Sequence, residues 1–81
     1  MLADLPGWTA DGDSITRTYK FRDHIEAMGF VVRVAMTAET LNHHPDLRIV
    51  YNTVELRLSS HDAGGVTARD GELARKINAL G

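Results

Sequence analysis

The spacing of apolar positions changes period several times along the chain. Trp8 to Ala10, the run Asp11-Gly12-Asp13, and then Ser14 to Phe21 predict a hairpin around an Asp-Gly turn. Ile15, Tyr19 and Phe21 share one face of the second strand, interrupted by Arg17. From Arg22 to about Asn42 the pattern is helical. Ile25, Met28, Val32, Ala35 and Met36 recur at three- and four-residue steps and are the expected core stripe. Phe30, Val31 and Val34 widen the apolar surface beyond one stripe, which implies burial on two sides. Glycine costs about 1 kcal/mol against alanine inside a helix, so close packing is expected at Gly29.

Pro45 ends this helix, because proline cannot continue it and drives the preceding residue towards extended backbone. Asp46 to Tyr51 and Thr53 to Ser60 then read as two strands joined near Asn52. Val54, Leu56 and Leu58 alternate with Thr53, Glu55, Arg57 and Ser59, so one face is buried and the other wet. Continued, that alternation puts His61 on the polar side. His61 to Gly65 reads as a loop. Thr67 with Asp70 resembles a capping box with Asp in place of Glu or Gln, and Leu73, Ile77 and Leu80 give a second helical stripe. The order ββαββα predicts an α+β fold, a four-stranded antiparallel sheet with two helices packed on one face. Residues 1–81 are expected to form one domain around one modest core.

Composition removes several function classes. A formal charge of −2 argues against non-specific nucleic-acid binding, which needs a basic footprint. Without cysteine there is no disulfide framework, thiolate chemistry or Cys-type zinc site. Met1 to Trp8 lack the basic and apolar regions of a signal peptide, and no apolar run approaches the roughly 20 residues that span a bilayer. A soluble cytoplasmic domain is expected, with no membrane partner.

The histidines carry the candidate chemistry. His43 and His44 stand directly before Pro45, at the expected helix C-terminus, whose partial negative charge favours protonated imidazole. His61 closes the strand that follows. Glu39 lies one helical turn before His43, so its carboxylate can reach the same face. A metal site from His43, His44, His61 and Glu39 is the rival reading. Adjacent histidines rarely both turn onto one ion, and the spacings of common zinc sites are missing, so no metal is expected. Arg69 and Asp70 read as helix-start charges, Trp8 as core or interface filler, and His24 as solvent-facing.

Glu39-x₃-His43-His44-Pro45, then Tyr51, the alternating strand and His61-Asp62, resembles the signature of the pterin-4a-carbinolamine dehydratases. Gly29-Phe30, Arg33-Val34-Ala35, Ala38-Glu39, Leu41-Asn42, Val50-Tyr51-Asn52, Gly65 and Thr67 through Asp70 extend the resemblance, which runs from about Gly7 to the C-terminus. Leu47 stands where the family commonly has tryptophan, so one apolar wall of the pterin pocket differs. Asn42 replaces a frequent aspartate, and the helical segment that many members carry before the first strand is mostly absent.

The resemblance implies dehydration of 4a-hydroxytetrahydropterin to quinonoid dihydropterin, with no metal or organic cofactor. It implies His43 and His61 as the acid/base pair and His44 as the residue that holds and polarises substrate. Glu39, Asn42, Pro45, Ser59, Ser60 and Asp62 would line the pterin site. It also implies a homodimer or homotetramer. The alternative on the same fold is a non-catalytic dimerisation or assembly cofactor, against which the intact His43, His44 and His61 argue.

Overall fold

Two tight hairpins supply all four strands of an antiparallel sheet. A computed structural model describes residues 5–60 and 63–81. Strand β1 (Thr9–Asp11) turns through Gly12 and Asp13 into β2 (Ser14–Lys20), with Asp11 opposite Ser14 and Gly12 at a φ of 62°. Strand β3 (Asp46–Val50) turns through Tyr51 and Asn52 into β4 (Thr53–Leu58), with Val50 opposite Thr53. Helix α1 (His24–Leu41) links the hairpins and α2 (Ala68–Leu80) follows β4. The sheet order is β1-β2-β4-β3, because β2 pairs with β4 and leaves β1 and β3 as edges.

Register decides what each face carries. Ile15 pairs with Leu58, Arg17 with Leu56, and Tyr19 with Val54, so these residues share the inner side with Leu47 and Ile49. Both helices pack there: Ile15, Val54, Leu56 and Leu58 form one core with Phe30, Val34, Leu73 and Ile77. The expected ββαββα arrangement is the one found. The other side carries Thr16, Thr18, Arg48, Glu55 and Arg57, crossed by Arg57–Asp11 and Arg48–Glu55 ion pairs.

The stripe of α1 that faces the core is not the one expected. Ala27, Phe30, Val31, Val34 and Ala38 are buried, whereas Ile25 is 82 %, Val32 54 % and Met36 66 % exposed. The helix does carry apolar surface on two sides, but the sides are exchanged. Both stripes satisfy a 3.6-residue period, so periodicity alone cannot choose between them. Aromatic packing does: the Phe30 ring lies 4.6 Å from Tyr19 and 5.0 Å from Phe21, within the range where tilted rings attract. Gly29 is not a close-packing position either, since a Cβ there would come no nearer than 3.6 Å to Arg33.

Element ends follow local chemistry. Asp23 caps α1 by accepting from the Glu26 N–H at 2.9 Å. The strands stop short of Tyr51 and Ser59, with Tyr51 in the left-handed region at φ 52°. Asn52 ties that turn to the end of β2, donating to the Phe21 carbonyl at 2.8 Å. His24 is exposed, as expected, but its Nδ1 lies 2.7 Å from the Tyr51 carbonyl oxygen.

Arg17 interrupts its apolar face for a reason. Its guanidinium lies 4.3 Å over the Tyr19 ring and donates to Asn78 Oδ1 at 2.7 Å and to the Pro6 carbonyl at 2.8 Å. The same Asn78 oxygen accepts from Trp8 Nε1 at 2.8 Å, and Trp8 is a core residue as expected.

Candidate active site

The two adjacent histidines leave α1 through a helix-closing turn. Asn42 adopts the left-handed conformation (φ 50°), which asparagine tolerates better than most residues. Its N–H donates to the Glu39 carbonyl at 3.1 Å, and the His43 N–H reaches back to the Ala38 carbonyl at 3.1 Å. This is the Schellman pattern. The helix therefore stops before the histidines, not at Pro45, and both rings lie in the connection to β3. Their orientation is set by side-chain partners rather than by the helix end.

The turn also breaks the four-residue spacing between Glu39 and His43. Glu39 Oε1 accepts instead from His44 Nε2 at 2.8 Å, on an exposed surface. His43 turns inward, to 7 % exposure, and its Nε2 lies 2.5 Å from Asp70 Oδ1. Asp70 is fully buried. Its other oxygen accepts from Ser60 Oγ at 2.9 Å and from the Thr67 N–H at 2.8 Å. The Thr67–Asp70 capping box expected from sequence is present, and its carboxylate also receives His43.

Burial alone would raise the Asp70 carboxyl, since it disfavours charge. Hydrogen bonds from His43, the Thr67 N–H and Ser60 outweigh it and hold Asp70 below the ordinary carboxylate range. An ionised carboxylate only accepts, so His43 carries its proton on Nε2. Arg69 Nη2 lies 3.3 Å from His43 Nδ1, and a guanidinium only donates. The ring is held as the Nε2–H tautomer, its Nδ1 lone pair turned towards Arg69.

Among the expected site residues, the structure joins His43 to Ser60 through Asp70 and pairs Glu39 with His44. Asn42 is exposed and Pro45 and Ser59 half-buried, with no side-chain hydrogen bond from them among the described residues. Leu47 is half-buried and packs against the core. His61 and Asp62 lie outside the described residues. Sequence reasoning missed Asp70 and Arg69 as partners of His43, taking them for helix-start charges. Among the described residues no group of three His, Cys, Asp or Glu side chains could hold a metal ion, and no helix is long and apolar enough to cross a membrane.

The profile of the pterin 4 alpha carbinolamine dehydratase family matches residues 1–80, and the chain belongs to that family. A relative from Afipia carboxidovorans, provisionally named a pterin-4-alpha-carbinolamine dehydratase, is 57 % identical over 81 residues, covering 98 % of this chain and 81 % of its own. The crystal structure of a transcriptional coactivator/pterin dehydratase from Brucella melitensis superposes with a TM-score of 0.92 at 44 % identity, covering 98 % of this chain and 86 % of that one. A pterin dehydratase-like RuBisCO assembly factor of the alpha-carboxysome shares the fold, with a TM-score of 0.74 at 15 % identity over 90 % of this chain and 84 % of its own.

Proposed function

We propose that this chain dehydrates pterin-4a-carbinolamine to quinonoid dihydropterin, with His43 and His61 as the acid/base pair. The observation that carries the reading is the buried His43–Asp70 pair at 2.5 Å. An ionised, buried acceptor on Nε2 leaves Nδ1 as the basic nitrogen. His43 then takes a proton from the substrate ring nitrogen at Nδ1, in exchange for the Arg69 N–H. The nitrogen lone pair forms the C=N bond and expels the 4a-hydroxyl, which leaves as water with a proton from His61. Return of the proton from His43 to His61 resets the pair, so substrate gives imine and water with no redox step. His44, paired to Glu39 on the exposed side, holds the pterin, and Asn42, Pro45, Ser59 and Asp62 border it.

Positioned proton transfer contributes on the order of 10²–10⁴-fold, and imidazole suits it near neutrality. A dehydratase assay on the wild type and His61→Ala tests the reading. A folded His61→Ala protein is expected to lose most activity, and one with near-wild-type kcat rejects the assignment.

The working form we propose is a cytoplasmic homo-oligomer, at least a dimer. Edge strands β1 and β3 and the exposed Ile25, Val32 and Met36 are surfaces that association covers. A stable 8.9 kDa species by light scattering at micromolar concentration would sink this claim. The second reading, a non-catalytic partner protein, is favoured by the coactivator name of the Brucella relative. Absence of turnover in a folded wild-type protein would select it.

A further inference from the structure

Ser60 stands immediately before His61 in the chain, and its own surroundings are well defined. Its backbone pairs in both directions with Gly65, at 2.8 and 3.3 Å. The side chain is 2 % exposed. Its hydroxyl proton goes to Asp70 Oδ2 at 2.9 Å, so in the 2.7 Å contact with Thr67 Oγ1 the threonine donates and Ser60 accepts. The donors therefore run one way, from Thr67 through Ser60 to Asp70. On its other oxygen Asp70 receives His43.

A hydroxyl that is buried, donating and accepting has little left for a ligand. It does fix the carboxylate. Asp70 has one oxygen for His43 and the other for Ser60 and Thr67, so its plane, and with it the direction offered to Nε2–H, depends on the Ser60 bond. Ser60 also joins the connection that follows α1 to the chain segment that begins at His61. No other hydroxyl among the described residues donates to Asp70.

We propose that Ser60 is a positioning residue that acts on His43 through Asp70, rather than a group that touches the pterin. The inference rests on the acid/base reading of His43 given above, but one arm of its test does not need turnover.

Ser60→Ala, Ser60→Thr, His43→Ala and the Ser60→Ala/His43→Ala double variant are compared with wild type. Loss of one hydrogen bond to a buried charge should lower kcat of Ser60→Ala about ten-fold, with KM changed less than about two-fold. Ser60→Thr, which keeps the hydroxyl, should recover most of the loss. In the His43→Ala background, Ser60→Ala should have no further effect, because the two changes break one linkage. A raised KM at unchanged kcat, or additive losses in the double variant, would overturn the proposal.

Nitrogen-15 NMR of the His43 ring supplies the arm independent of activity. In folded wild-type protein the ring should read as the Nε2–H tautomer, and Ser60→Ala should shift the Nε2 signal or mix the tautomers. An unmoved His43 spectrum in folded Ser60→Ala would reject the coupling whether or not the protein is a dehydratase. A moved spectrum in a protein without turnover would uphold the coupling and reject only the enzymatic reading.

Discussion

His43 and His44 are consecutive, yet they occupy different environments. The His43 side chain is 8 % exposed against a fully buried carboxylate, whereas His44 is 56 % exposed and pairs with a Glu39 side chain that is 80 % exposed. In the first pair both partners are out of water, so removing either leaves an uncompensated polar group. In the second pair water can replace either partner, and such pairs contribute about 0–1 kcal/mol. The left-handed Asn42 closes the helix just before both rings, and their side-chain partners then make one a fixed imidazole and the other an adaptable one. Fixed geometry suits proton transfer, and adaptability suits holding a substrate.

The severest way to break the contrast is Asp70→Ala. Deleting the acceptor under His43, Ser60 and Thr67 should destabilise the fold by about 3–5 kcal/mol, the usual cost of breaking a buried pair. Removing the surface carboxylate in Glu39→Ala should cost less than about 1 kcal/mol. Urea unfolding of both variants measures the gap, and equal midpoints would erase the distinction.

A second break is catalytic. His43→Ala should lower kcat on the order of 10²-fold or more, while His44→Ala should appear more in KM. Steady-state kinetics on the two variants decides, and a His44→Ala loss confined to kcat would assign its ring to the proton transfers instead.

The pH dependence sharpens the same comparison. Asp70 is held below its ordinary value, so around that value the unfolded chain binds more protons than the folded one, and stability rises with pH there. The contribution is complete above the unfolded carboxylate pKa of about 3.9 and is lost as pH falls through the lower folded value. In Asp70→Asn this part of the acid transition should disappear, while Glu39→Gln should leave it in place. Circular dichroism between about pH 5 and 2 follows both, and identical acid curves for wild type and Asp70→Asn would contradict the carboxylate's role.

The smallest effect concerns Leu47 on β3. If Leu47 replaces a stacking tryptophan, Leu47→Trp should tighten pterin binding, since aromatic packing adds about 0.5–1.5 kcal/mol. An unchanged or weaker Kd in a well-folded variant would put this side chain away from the pterin.

Much of the fold was legible because its signals are local. Alternation in β4, the Asp-Gly turn after β1 and the Thr67–Asp70 spacing each specify a few neighbouring residues, and each is realised to within a residue or two. The wrong choice between the stripes of α1 arose because its answer lies in the Tyr19 and Phe21 rings, outside the helix. Asp70 shows the limit most clearly. Its cap role is written three residues away, in Thr67, but its partner His43 is 27 residues distant and no period connects them. The one signal available was the family resemblance of the segment Thr67 to Asp70, which marks those positions without stating what they touch.

The Asn78 side chain has a consequence for the order in which the molecule assembles. Its bonds to Trp8, Arg17, Tyr19 and Pro6 span 59 to 72 positions of the chain. Such closures return nothing until nearly the whole chain is in place, so they belong late on the folding path. Interactions absent from the transition state govern how fast a native molecule opens, not how fast it forms. Asn78→Ala should therefore steepen the loss of molecules with time under denaturing challenge, raising the unfolding arm of a chevron and leaving its folding arm where it was. On this view one amide near the end of α2 acts as the clasp that sets the lifetime of the folded state.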